Sequence, residues 1–188
     1  MSDEVAPQPR QGWPGLLDRV IGPGASRGEW VLNVVPALIA ALLAPLYAWV
    51  VDVHWHALLY VVAGLLALDM VGGVVTNATA SGRRWYHRPG LGWGAQLGFV
   101  GMHLLHLLLV SWLFLSWDPF WVVAAGGWLL FAAVAILGAA APLRRPLAML
   151  AYVIALLLAL FVLPQPEGLE WFLPLFYLKL LVSHLSGA

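Results

Sequence analysis

The sequence predicts an all-α integral membrane protein, with six transmembrane helices in one bundle and both termini in the cytoplasm. Three observations carry that expectation. The 188 residues are 62% hydrophobic and only 10% charged, with a mean hydropathy of +0.88, whereas a soluble domain is about half apolar and a quarter charged. Apolar runs of about 20 residues recur along the chain, the length a helix needs to cross ~30 Å of hydrocarbon. The arginines fall in alternate connectors between those runs.

The composition argues against a soluble enzyme, a disordered chain and a nucleic-acid binder, so nucleic acid is not an expected partner. Nine basic and nine acidic residues leave no net charge to point to a partner. With no cysteine, disulfides, thiolate metal sites and cysteine nucleophiles are excluded. Nothing alternates as a barrel strand does. Helices are then the remaining way to satisfy backbone groups in lipid.

The arm at 1–29 holds Pro7, Pro9, Pro14 and Pro23, which disfavour a long helix. Within it Leu16, Leu17, Val20 and Ile21 accompany Asp18 and Arg19, a pattern for one or two amphipathic turns lying on the membrane surface. The transmembrane domain covers 30–186, with spans at 30–51, 57–79, 93–115, 120–141, 146–163 and 169–186. Arg10, Arg19 and Arg27 precede the first span. Arg83, Arg84 and Arg88 lie between the second and third, and Arg144 and Arg145 between the fourth and fifth. The other connectors carry Asp52, Asp118 and Glu167 and no Lys or Arg. The positive-inside rule puts the arginine side in the cytoplasm, and the inner membrane of a bacterium is the expected location. Trp30, Trp49, Trp93, Trp112, Trp117, Trp121 and Trp171 fall near span ends, where amphipathic rings anchor.

Ionisable groups inside a membrane cost ~2.5–3.5 kcal/mol each on insertion scales, and are kept where they pair, bind or react. Counting 1.5 Å per residue places Asp69, His103 and Lys179 roughly 15 Å deep, with His106 one turn from His103. Gln96, His103 and His106 form a polar stripe on the third span. Gly94, Gly98 and Gly101 offer a seam for close helix packing. A second layer lies at the cytoplasmic rim: Asn77, Arg83, Arg84, His87, Arg88 and His184, with Thr76, Thr79 and Ser183 beside them.

The deep cluster supports several chemistries. His103 and His106 at i, i+3 can reach one ion, with Asp69 as a third ligand and an open position for water, so a divalent metal (zinc, iron or manganese) is a candidate cofactor. Lys179 opposes a neighbouring metal unless it holds an anionic substrate. The leading reading is a metal-dependent intramembrane enzyme acting on a lipid or lipid-like anionic substrate. In it Asp69, His103 and Lys179 are catalytic, while Asn77, Arg83, Arg84, His87, Arg88 and His184 bind an anionic headgroup. The same cluster can act without a metal. It also suits a small proton-coupled transporter, working as a homo-oligomer, with helices broken at Pro36, Pro45 and Pro174. A third reading is an accessory subunit in which Asp69 and Lys179 pair only to join helices. Haem is disfavoured, because His103 and His106 share a helix and His184 lies about 12 Å shallower. Asp52, His54 and His56 in the first outer loop read as solvated side chains.

Overall fold

The computed structural model describes residues 7–187. The first six residues of the arm lie outside the described residues. Among those described there is no strand, and five helices are long and apolar enough to cross a membrane.

Helix α1 (Trp13–Ile21) starts on Pro14 in its first turn, where the missing N–H costs nothing. It stops at Gly22, whose φ is +104°. A Cβ there would strike the backbone of Ser81, so only glycine lets α1 end against that segment. Helix α2 (Arg27–Val50) opens with a capping box. Ser26 Oγ accepts from the Glu29 N–H at 3.2 Å, and Glu29 Oε2 accepts from the Ser26 N–H at 2.8 Å. The other Glu29 oxygen accepts from the Ser81 N–H at 3.0 Å and ties the start of α2 to the segment carrying Ser81. Helix α3 (Ala57–Ala78) lies along α2. Gly64 faces the Ala41 carbonyl, where a Cβ would come within 2.8 Å, so the two backbones pack closely.

Several boundaries differ from the sequence reading. The connector after α3 contains a short helix, α4 (Ala80–Tyr86), because Thr79 Oγ1 caps it by accepting from the Gly82 N–H at 3.2 Å. The third span divides into α5 (Trp93–Met102) and α6 (Leu104–Phe114). The break falls at His103, whose N–H bonds to Val100 O in a tightened i−3 turn of 3.1 Å. Among the described residues Gly94, Gly98 and Gly101 form no packing seam, since a Cβ on any of them meets nothing within 4 Å. Helix α7 (Pro119–Gly138) is capped by Asp118, which accepts from the Trp121 N–H at 3.0 Å. Helix α8 (Ala141–Phe161) begins earlier than expected and takes Arg144 and Arg145 into its first turns, with Pro142 at its start.

The segment expected as a sixth span at 169–186 forms a shorter apolar helix than the other five. Gly168 turns the chain at φ +84°, and the helix then runs as α9 (Phe172–Tyr177), a π-helical stretch (Leu178–His184) and a final 3₁₀ turn (Leu185–Gly187). At 1.5 Å per residue, its 16 residues reach about 24 Å, short of the ~30 Å hydrocarbon core. Phe172, Phe176, Tyr177, Leu180, Leu181 and Leu185 are all fully buried, so the segment is enclosed within the bundle, against α3, α7 and α8. Tyr177 Oη donates to Ala125 O at 3.0 Å and fixes it to α7. The expected breaks at Pro36 and Pro45 do not occur. Helix α2 runs through both, and Pro174 sits in the first turn of α9. The irregular turns lie instead at His103 and around Lys179.

Candidate functional site

The four residues that depth counting sets at a similar level, Asp69, His103, His106 and Lys179, lie next to one another. Lys179 Nζ donates to Asp69 Oδ2 at 2.7 Å, and His106 Nε2 lies 3.1 Å from the same oxygen. His103 and His106 stack nearly parallel, 12° apart with ring centroids separated by 5.1 Å. The break at His103 lets a helical i, i+3 pair stack this way. His103 Nδ1 lies 2.8 Å from Phe99 O. A carbonyl only accepts, so Nδ1 carries the proton, and in the neutral ring the lone pair is on Nε2.

Lys179 is only 3% exposed, while the Asp69 side chain is 44% exposed. Gly73, one turn along α3, makes that burial possible. A Cβ at Gly73 would land on Cε and Cδ of Lys179, so the glycine gives the lysine stem its channel to Asp69. The stem is buried and the ammonium sits behind the carboxylate.

Asp69, His103, His106 and Lys179 all border one cavity of about 660 Å³. It lies between the α2–α3 pair and the α5–α6 helix, and α1 closes its upper wall with Leu17, Val20 and Ile21. Leu38 on α2, Met102 on α5 and Leu105 on α6 border it and are more than half exposed. The surroundings of its mouth are therefore apolar. Two polar zones interrupt the apolar wall. One is the Asp69 cluster. The other holds Asn33, Thr76, Asn77 and Tyr86. Seven residues of α3 separate Asp69 from Thr76, which is about 10 Å.

The second zone is built from side-chain hydrogen bonds within and between helices. Thr76 Oγ1 donates to Asn33 Oδ1 at 2.5 Å, and Asn33 Nδ2 donates to Glu29 O at 2.7 Å. Tyr86 Oη donates to the Arg19 and Val20 carbonyls at 3.1 and 3.0 Å, which fastens α1 over the cavity. Gln96 stands outside the cavity wall and holds Tyr86 in place, donating from Nε2 to Tyr86 O at 3.0 Å. Arg10 reinforces α1 through three bonds to the Asp18 carboxylate, from its backbone N–H at 2.9 Å and from its guanidinium at 2.9 and 2.8 Å. That pairing holds Asp18 below the usual carboxylate range.

The rim residues do not act as one unit. Asn77 borders the cavity, but Arg83, Arg84, His87, Arg88 and His184 do not. Arg88 lies over the Trp85 ring at 4.1 Å and donates to Trp85 O at 2.7 Å, which fits an anchoring role. His87 and His184 meet at a tilt with centroids 5.0 Å apart, and His184 stacks on Phe99 at 4.2 Å. Burial, with the nearby Arg83 charge, keeps the His87 imidazole below its ordinary value of 6.5.

Metal binding at His103, His106 and Asp69 is not supported. Among the described residues no group of three His, Cys, Asp or Glu is placed to hold an ion. The geometry gives the reason. Asp69 Oδ2 already faces the Lys179 ammonium, so the place an ion would take beside the carboxylate is occupied by a cation. Asp52 and His54 in the outer loop come no closer than 3.9 Å and are exposed.

Sequence reasoning missed Asn33, Phe99 and Tyr86. Asn33 carried a signal, as a lone amide inside an apolar run. Phe99 and Tyr86 carried none, because their parts here depend on which helices meet. The chain matches no known family model, no curated protein and no solved structure.

Proposed function

We propose that this is a membrane protein that admits a lipid-like molecule sideways from the bilayer into the cavity and acts on its polar end by proton transfer, without a metal. One observation carries the reading: a cavity of about 660 Å³ with an apolar mouth ends on Asp69, His103 and His106. Pockets of about 300–1,000 Å³ lined by apolar groups with a few convergent polar ones are typical of small-molecule sites. His103 Nε2 carries the lone pair and is the proton acceptor. Asp69, held by Lys179 and His106, orients and polarises the bound group. Irregular helix turns at His103 and Lys179 fit this reading, because such turns recur at functional sites.

A proton-coupled transporter would need a chain of proton-carrying groups. The row of ring contacts from His87 through His184 passes Phe99 before it reaches His103, and phenylalanine carries no proton. The enzyme reading is therefore preferred.

The test is incubation of purified protein with a lipid extract of its own membrane, followed by mass spectrometry of the lipids. Wild type is expected to deplete one species and generate a product. His103→Ala should abolish that change and keep a folded, monodisperse protein. Should His103→Ala and Asp69→Asn lower only thermal stability, with no lipid altered by wild type, the cluster is a structural joint and the proposal fails.

A further inference from the structure

We infer that the polar end of the cavity's occupant is a neutral hydrogen-bond donor, a hydroxyl on a single apolar chain or ring system, rather than an anionic headgroup. The inference rests on the cavity reading above and specifies the chemistry that its deep end recognises.

The argument comes from which atoms remain available. Lys179 and His106 both approach Oδ2 of Asp69. No donor among the described residues bonds to Oδ1, and Oδ1 is not among the buried polar atoms that lack a partner. With the side chain 44% exposed and bordering the cavity, Oδ1 is open to a further donor. His103 spends its N–H on Phe99 O and keeps a lone pair on Nε2. The deep end therefore offers two acceptors. The strongest donor nearby, the Lys179 ammonium, also borders the cavity but is buried and already donates to Oδ2 at 2.7 Å.

Charge decides between the candidate donors. A carboxylate or phosphate would bring a second negative charge against Oδ1 while the one cation at the cavity floor is already paired with Asp69. An alkylammonium would meet a carboxylate that Lys179 has already neutralised, with like charge close behind it. A hydroxyl adds no charge and gives Oδ1 the donor it lacks. None of Arg83, Arg84 and Arg88 borders the cavity, so the arginine rim does not compensate an anion there. The cavity volume matches a drug-sized ligand, which fits one chain or a small ring system.

The experiment uses the full-length protein in detergent and a long-chain alkanol carrying a diazirine. Unlabelled competitors share the same chain and end in a hydroxyl, a methyl ether, a carboxylate or an ammonium. Cross-links are expected on peptides of α2, α3 and α6. The alcohol should compete about ten- to hundred-fold better than the ether, the loss expected for one hydrogen bond to a charged acceptor. The paired variant Asp69→Leu/Lys179→Met removes the whole ion pair and keeps an apolar wall. In it labelling should persist and the alcohol–ether difference should fall to within two-fold. If no probe labels the cavity peptides, the cavity reading itself fails. If labelling occurs but the ether, carboxylate or ammonium competes as well as the alcohol, or the paired variant keeps the discrimination, the hydroxyl inference is overturned and the cavity stands.

Discussion

Lys179 Nζ donates to Asp69 Oδ2 at 2.7 Å across 110 residues of sequence, joining α3 to the π-helical stretch within the bundle. The pair fixes the enclosed helix in register and sets the charge of the cavity floor. Breaking a buried ion pair from one side leaves an uncompensated charge, typically costing about 3–5 kcal/mol. Asp69 is half exposed, so Lys179→Met should fall toward the lower end of that range. Asp69→Leu/Lys179→Met should recover most of the loss, because an apolar replacement of both partners is often close to neutral. Unfolding of the three proteins in one detergent measures this. Equal loss in the single and paired variants would show that the pair itself holds the fold.

Gly73 gives an independent handle on the same contact. Its added Cβ would meet the lysine stem rather than backbone, so the stem must move. Gly73→Ala is expected to destabilise by about 1–3 kcal/mol, as overpacking does. Combining it with Lys179→Ala should relieve that cost. If the Gly73→Ala loss is unchanged when the lysine stem is removed, the clash is elsewhere.

The arm offers a pH test. Arg10 holds Asp18 below its ordinary carboxylate range, so as pH falls the free carboxyl takes up a proton before the docked one. Docking of α1 should be complete above the ordinary carboxylate range and should be lost as pH drops through and below it. Amide exchange across α1 at pH 7 and pH 3 reads this, and Asp18→Asn should flatten the difference. An arm equally protected at both pH values would contradict it.

His87 gives a second, higher pH step. Its imidazole is held neutral by burial, so the unfolded chain binds the proton first. Stability contributed by this residue is full above about 6.5 and declines as pH falls from there. Thermal unfolding between pH 8 and 5 should show the decline in wild type and a weaker one in His87→Gln.

How much of this was legible in the sequence depended on whether a residue's role was local. Asp69, His106 and Lys179 could be read because a charge in an apolar run has few reasons to be there, and 1.5 Å per residue fixes its depth. Arg10 and Asp18 meet within one short arm. The short length of the last helix could not be read. Its 169–186 run looks like a span by composition, and only the packing of α3, α7 and α8 around it makes it an enclosed core. The helix break at His103 was equally hidden, as no proline or paired glycine marks it. The metal set failed for a related reason. Spacing placed two imidazoles near a carboxylate, but not the stem that Gly73 admits, which brings Lys179 to the oxygen first.

The central claim is that the cavity beside Asp69 holds a lipid-like molecule. Native mass spectrometry of protein released from membranes tests it most directly, comparing wild type with Val34→Trp, which fills the cavity from α2 at a partly exposed position. The account predicts a bound species of defined mass on wild type and its loss from folded Val34→Trp. The same adduct pattern on both proteins, or none on wild type, would contradict it.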